Sequence, residues 1–419
     1  ALKFSAKKVF SRLLLTSCSI LFAIGAFELG LRLFYPKFQY AAESDYLDED
    51  QRIWSRRPNS IYRRFHPDNG EYHYVYHNNL ALRQHRDFSE KDLKASINIG
   101  FFGDSFTENL RLPGPFSFSE PLDYMLNETG RNFNTLNFGV DGYGTDQSFL
   151  TYDNFVYKNE LDYVFYIFTA NDLRNIYENG IFYLDEQDNL ERARIYKPSF
   201  PIRVLSKFHL TYLVIESIEN VFFNTSDYNK LVDLEAFLDH SKTYHNEIAD
   251  GIERNLLKND KLSPEFKQSI KIFNTILRKW KSEVESNDGE FIIVLLPRAT
   301  ESIAAKLIDL NEADIIDLFD LFNTTIENYE YKDFFFLKDG HWNEAANYIT
   351  AKLFYSELTR RHGLEPLTAK AIDKKLRAYY SAFPYSWAPN DGTEPVELKA
   401  AALKKIREKY NAIPQDRNQ

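Results

Sequence analysis

The sequence predicts an α/β protein: a doubly wound, mainly parallel sheet flanked by helices, preceded by an N-terminal transmembrane helix. Three observations predict it. Four short apolar runs, at residues 97–102, 135–140, 161–168 and 291–296, are separated by connections long enough to hold crossover helices, as parallel pairing requires. Three of these runs stop at small, polar clusters: Gly103-Asp104-Ser105, Asp141-Gly142-Tyr143-Gly144 and Thr169-Ala170-Asn171-Asp172. In open α/β sheets, sites form beyond the carboxyl ends of the strands, where all three clusters would lie. Finally, residues 13–27 are uncharged and mostly apolar, behind a flank holding Lys3, Lys7, Lys8 and Arg12.

Composition narrows the class. A net charge of −10 argues against a nucleic-acid binder, which would usually be basic. Aromatics make up 16% of the 419 residues, enough bulk for a large core. Cys18 is the single cysteine, so an intrachain disulfide and a cysteine-based zinc site are both excluded.

Taken in order, residues 1–36 read as a membrane anchor. The uncharged run of 15 is short for a span, but counted on from residue 13 to Tyr35 the segment is 23 residues, which is enough. Glu28 and Arg32 interrupt it at a spacing that pairs them on one helix face. The basic flank should stay in the cytoplasm and the remainder outside, giving a single-pass inner-membrane protein with a periplasmic domain. A cleaved signal peptide and a lipoprotein box ending at Cys18 are the rival readings. Residues 37–92 read as a lead-in that packs on the main domain. Within it residues 71–77 alternate with period two, as a strand does. His73 and His77 would share a strand face but sit too far apart to chelate one ion readily.

The domain proper is expected over residues 93–363. Residues 97–102 form its first strand, Gly103 permits a sharp turn, and Ser105 would be lifted out at the sheet edge ahead of a short helix. Helices are expected at about 119–127 and 147–158, around the strand at 135–140. The near-continuous apolar run at 161–168 marks a strand buried on both faces. Residues 176–262 break the alternation and read as an insertion. Regularity returns where Ser263 suits an N-cap and Pro264 the first helical position. Phe266, Ile270, Phe273, Leu277, Trp280 and Val284 then follow one helix face. After the strand at 291–296, helices are expected at 301–308 and 312–321. Asp339 and His341 stand in a loop before a helix that runs from Asn343 to about Arg361 and stops at Gly363. Residues 364–419 carry two amphipathic stretches, at 368–380 and 395–410, that would wrap the domain or meet a membrane partner.

A serine becomes a nucleophile when a base takes its proton, and the base needs an orienting carboxylate. Ser105 stands near the start of the sheet domain and the Asp339–His341 pair near its end, an order that a doubly wound sheet can bring to one edge. Ser105 would attack a carbonyl, His341 would carry the proton, and Asp339 would fix the imidazole. The oxyanion would be held by the N–H groups of Ser105 and Gly142 and by the Asn171 amide. Locally, Asp339 and His341 also read as a capped helix start. No cofactor and no metal ion are expected.

The chain resembles the SGNH hydrolases, the GDSL-like esterases and lipases, in four blocks that map in order. Gly103-Asp104-Ser105 matches the nucleophile block. The stretch from Asn137 to Gly142 matches the second, whose glycine gives an oxyanion N–H. Asn171-Asp172 matches the third, and Asp339-Gly340-His341 the last. Thr169 stands where the third block usually has glycine, and Asp339 is two residues before His341 where three is usual. The resemblance implies a flavodoxin-like three-layer sandwich with Ser105, Asp339 and His341 as catalytic residues. It implies a membrane-anchored serine esterase acting through an acyl-enzyme on an O-acylated carbohydrate or other envelope component. Two readings stay open beside it. An O-acetyltransferase of an exopolysaccharide shares the acyl-enzyme until the second nucleophile arrives. A non-catalytic subunit of a membrane complex, held by residues 13–35 and the C-terminal helices, would keep the fold alone.

Overall fold

The computed structural model describes residues 6–34, 56, 58–68, 72–193, 210, 264–296, 314–318, 334–336 and 339–381. The expected helices at 301–308 and 395–410, and most of the insertion, lie outside the described residues. The first element is helix α1 (Ala6–Phe34). Its stretch Phe10–Gly30, 21 residues with mean hydropathy 1.8, is long and apolar enough to cross a membrane. Its apolar side chains point outward, Phe22 being 79% exposed, which is costly in water and favourable in lipid.

A hairpin follows, β1 (Ser60–Phe65) against β2 (Tyr72–His77), antiparallel with Ser60 opposite His77. The sequence reading found β2 and missed β1, whose Arg63-Arg64 pair hides the alternation. Helix α2 (Glu90–Lys94) is capped by a reciprocal Ser89–Asp92 box and leads into strand β3 (Ile97–Gly103). Then come the short α3 (Ser105–Glu108), α4 (Ser119–Asn127), β4 (Phe133–Asn137), α5 (Thr145–Asp153), β5 (Tyr163–Phe168) and α6 (Asp172–Asn179). A small hairpin, β6 (Phe182–Leu184) and β7 (Leu190–Arg192), opens the stretch expected as an insertion. Helix α7 (Pro264–Ser286), β8 (Glu290–Leu295), β9 (Asp314–Asp317), α8 (Glu344–Arg361) and α9 (Ala369–Ser381) complete the described elements.

The main sheet runs β4-β3-β5-β8-β9, and all four pairings are parallel. The chain starts in the sheet at β3, steps one way to β4, then returns to β5 on the other side. That reversal is a topological switch point, with a crevice between β3 and β5 at their carboxyl ends. β9 corrects the sequence reading, which placed a helix near 312–321. Ile315-Ile316 is too short an apolar run to reveal a period, and β-branched side chains beside β8 favour an extended edge strand.

Consecutive strand residues feed opposite cores, which is why the strands read as unbroken apolar runs. On β3, Phe101 enters the core shared with α4, α8 and α9, whereas Phe102 enters the core shared with α5, α6 and α7. Trp280 of α7 is fully buried and meets the rings of Phe102, Phe149, Tyr166 and Phe291. Of its expected face, Phe273, Leu277 and Val284 are buried beside it and Ile270 is partly covered. Helix α8 begins as expected, Asn343 accepting the N–H groups of Ala345 and Ala346 at 3.0 and 3.1 Å. Helix α9 lays Ile372, Leu376 and Tyr379 on the domain, all buried.

Candidate active site

The turn that carries Ser105 is made by a backbone that β3 cannot continue. Gly103 has φ +151°, and a Cβ there would stand 2.8 Å from the Ile167 carbonyl oxygen of β5, so only glycine leaves room for the turn. Asp104 caps the following turn, accepting the Phe106 N–H at 3.0 Å. Ser105 then opens α3 at the carboxyl end of β3, beside the switch point.

His341 reaches it from 236 residues away. Its Nε2 lies 2.6 Å from Ser105 Oγ, and its Nδ1 is hydrogen-bonded to Asp339 Oδ1. The carboxylate can only accept, so Nδ1 donates to it and Nε2 is left to accept the serine proton. The unusual two-residue spacing works because Gly340, at φ +76°, folds the loop back. The Gly340 N–H reaches the Phe336 carbonyl at 2.9 Å, and the Phe336 N–H reaches that of His341 at 2.8 Å. Phe106 stacks on the His341 ring, with centroids 4.7 Å apart and planes at 29°. Burial opposes charge on Asp339, but the His341 hydrogen bond and the Arg111 guanidinium outweigh it and hold the carboxyl well below the usual carboxylate range.

Asn171 leaves the end of β5 across the crevice. Its amide donates one long bond, 3.4 Å, to Asp104 Oδ2. Thr169, the departure from the expected glycine, serves the same carboxylate better, its hydroxyl donating at 2.9 Å. The Thr169 N–H goes to Asp172 at 3.1 Å, and the Tyr166 hydroxyl donates to Asp172 at 2.6 Å. These bonds tie the ends of β3 and β5 together behind the serine. Burial raises both carboxyls above their ordinary range, with Asp104 further disfavouring charge on Asp172. Gly142 sits in the turn closed by the Tyr143 N–H on the Val140 carbonyl, 3.1 Å, after β4. The N–H groups of Ser105 and Gly142 carry no hydrogen bond to any described residue. Ser105, His341 and Asp339 are thus in direct contact, Asn171 adjoins them through Asp104, and Gly142 lies one residue from Asp141.

Sequence reasoning missed the groups that hold this edge in place. Glu108, at the end of α3, is fully buried. Arg56 grips it with two bonds of 2.6 and 2.7 Å, His77 donates to it at 3.1 Å, and the Asp141 N–H donates to its second oxygen. Burial opposes its charge, but Arg56 and His77 prevail and hold it below the usual range. The two strand histidines each have Nε2 engaged by the protein. Burial lowers His73 to about 3 and His77 to about 4, so both are neutral, and His73 donates to the Leu110 carbonyl at 2.9 Å. No group of three potential metal ligands occurs among the described residues. The lead-in therefore clamps the segment after Ser105. The only sequence signal was the period-two placement of His73 and His77 on one face.

Removing the buried acceptor should be expensive. Glu108→Ala is expected to cost ~3–5 kcal/mol, because it removes the buried carboxylate that Arg56 holds with two hydrogen bonds; urea melts of the two proteins measure it. The folded-state pKa of Glu108 is depressed. Its contribution is therefore complete above the ordinary value of 4.5 and declines as pH falls below that.

A serine, a histidine and an aspartate hydrogen-bonded in sequence at the carboxyl edge of an α/β sheet can act chemically as nucleophile, base and orienting carboxylate. No family model matches the chain, and no curated protein matches it. Solved structures do. One is a two-domain esterase active on acetylated mannans, at 10% identity and TM-score 0.34, over 65% of this chain and 51% of that one. The chain thus spans about half of that protein's length. Another is a catalytic mutant of an acetylxylan esterase from Geobacillus stearothermophilus, at 13% identity and TM-score 0.34, over 66% and 99%. A third is an alpha/beta hydrolase from the metagenome of Lake Arreo, Spain, at 12% and 0.33, over 63% and 96%.

Proposed function

We propose that this protein is a membrane-anchored serine ester hydrolase that cleaves O-acyl groups from a carbohydrate or other envelope component on the periplasmic side of the inner membrane. The observation that carries the reading is the 2.6 Å contact between Ser105 Oγ and His341 Nε2, with Nδ1 engaged by Asp339. In this reading Ser105 attacks the ester carbonyl as Nε2 takes its proton. The tetrahedral oxyanion is received by the Ser105 and Gly142 N–H groups and by the Asn171 amide. Collapse expels the alcohol, protonated by His341, and leaves an acyl-serine. Water, deprotonated by His341, then releases the acid. Asp339 holds the tautomer and offsets the imidazolium charge in both halves.

The topology rests on the basic residues ahead of the span, which favour the cytoplasm. The loose Asn171–Asp104 bond supports the oxyanion role, since that amide can turn to an incoming charge while Thr169 keeps Asp104 satisfied. Asn171→Ala is expected to lower kcat about 10²–10³-fold with little change in KM, as losing one oxyanion donor does. Steady-state kinetics on p-nitrophenyl acetate measure it. The reading itself is tested with the full chain in detergent. Turnover of that ester and covalent labelling by a fluorophosphonate are expected; a well-folded protein that does neither overturns it. Supplying an acetylated sugar as donor and a plain sugar as acceptor separates hydrolysis from transfer by whether acetate or acetyl-sugar accumulates.

A further inference from the structure

Arg111 is a charged side chain at this edge that the mechanism above does not use. Its Nε approaches both oxygens of Asp339 at 3.3 Å, and its Nη1 donates to Asp141 Oδ2 at 2.8 Å. The two carboxylates come from different loops, one after β4 and one before α8. The base from which Arg111 reaches them is fixed on both sides. Leu110 and Leu112 have their carbonyls held by His73 and by Arg83, the latter at 2.8 Å. Asn109 donates to Asn347 of α8 at 2.5 Å. Asp141 is gripped twice by this one segment, its N–H by Glu108 and its carboxylate by Arg111. The next residue is Gly142.

We propose that Arg111 is a positioning residue: one guanidinium locks both the Asp339 carboxylate and the Asp141-Gly142 turn to the segment that carries Ser105, so the proton relay and an oxyanion donor are set together. The inference rests on the hydrolase reading. The planar fork explains why arginine stands here. It can hold Asp339 and Asp141 at once while Asp339 Oδ1 still receives His341, which a single ammonium does poorly. All three side chains are largely covered, Arg111 being 18% and the two aspartates 25% exposed, so water screens the contacts less than on an open surface.

The test uses the full chain in detergent, with active sites counted by fluorophosphonate titration so that unfolded protein drops out. Arg111→Met is expected to lower kcat roughly 10–100-fold with KM within about twofold, as misplacement by about an ångström does. Arg111→Lys should fall in between. In Arg111→Ala, millimolar methylguanidinium should restore part of kcat, which a loss of general stability would not allow. The downfield imidazole Nδ1–H resonance of His341 should be visible in the wild type and broadened in the methionine variant. A methionine variant with wild-type kcat, KM and resonance overturns the proposal. Should that variant not fold, wild-type kcat in the lysine variant overturns it instead. If the wild type itself neither turns over ester nor labels, the hydrolase reading fails, and the resonance alone still decides whether Arg111 orders the Asp339–His341 pair.

Discussion

Ser105→Ala is expected to remove turnover of p-nitrophenyl acetate, lowering kcat by roughly 10⁴–10⁶-fold while leaving the fold intact. The size follows from the chemistry. Without Oγ there is no acyl-enzyme, and His341 keeps its tautomer but has nothing to deprotonate except water. On the proposed mechanism, what remains is the rate that the oxyanion donors and simple binding provide. The fold should tolerate the change because Ser105 contributes one hydroxyl, whereas the turn depends on Gly103 and the Asp104 cap. A thermal melt run beside the kinetics checks that. An alanine variant within tenfold of the wild type would show that the nucleophile lies elsewhere.

Asp339→Asn is the second large effect, with kcat expected to drop about 10³–10⁴-fold. An amide at this position can donate to Nδ1 and so favour the tautomer with the proton on Nε2, which cannot accept from Ser105. It also removes the charge that Arg111 and His341 share. The pH dependence separates this from a general loss of structure. The Asp339 carboxyl lies below the usual range when folded, so its contribution is complete above its ordinary 3.8 and lost only as pH falls below that. Wild-type activity that declines above that pH is therefore not lost through Asp339. The asparagine variant should be depressed at every pH above it.

Much of the fold was legible because parallel strands between two helical layers are apolar on both faces. The strands at 97–103, 163–168 and 290–295 each lie within about two residues of the expected limits. The fourth, 133–137, begins and ends earlier than expected, since Phe138 and Val140 continue the apolar pattern into the loop. Elements whose stability comes from a neighbour were not legible. β9 is two isoleucines between aspartates, and it is a strand because β8 offers it an edge. β1 contains two arginines and exists because β2 pairs with it. At the site, Ser105, Asp339 and His341 stood out because glycine-bearing turns mark them. Arg56, Glu108 and Arg111 did not. A buried charge is identified by its partners, and these lie 52 residues apart for Arg56 and Glu108 and 228 apart for Arg111 and Asp339.

The 236-residue separation between Ser105 and His341 also sets a timetable. At a synthesis rate of about 5–20 residues per second, the serine leaves the ribosome roughly ten to fifty seconds before its base. During that interval β3 and β5 can pair, but Phe101 and Phe165 still lack Phe354 of α8, which covers both rings in the finished protein. The half-made chain has the Phe118 ring beside Phe101, but the Phe354 side of this core and the histidine that meets Ser105 both come from the same late stretch. A chain that stops short of this stretch lacks both the Phe354 side of its core and the His341 partner of Ser105, so packing and site are completed together.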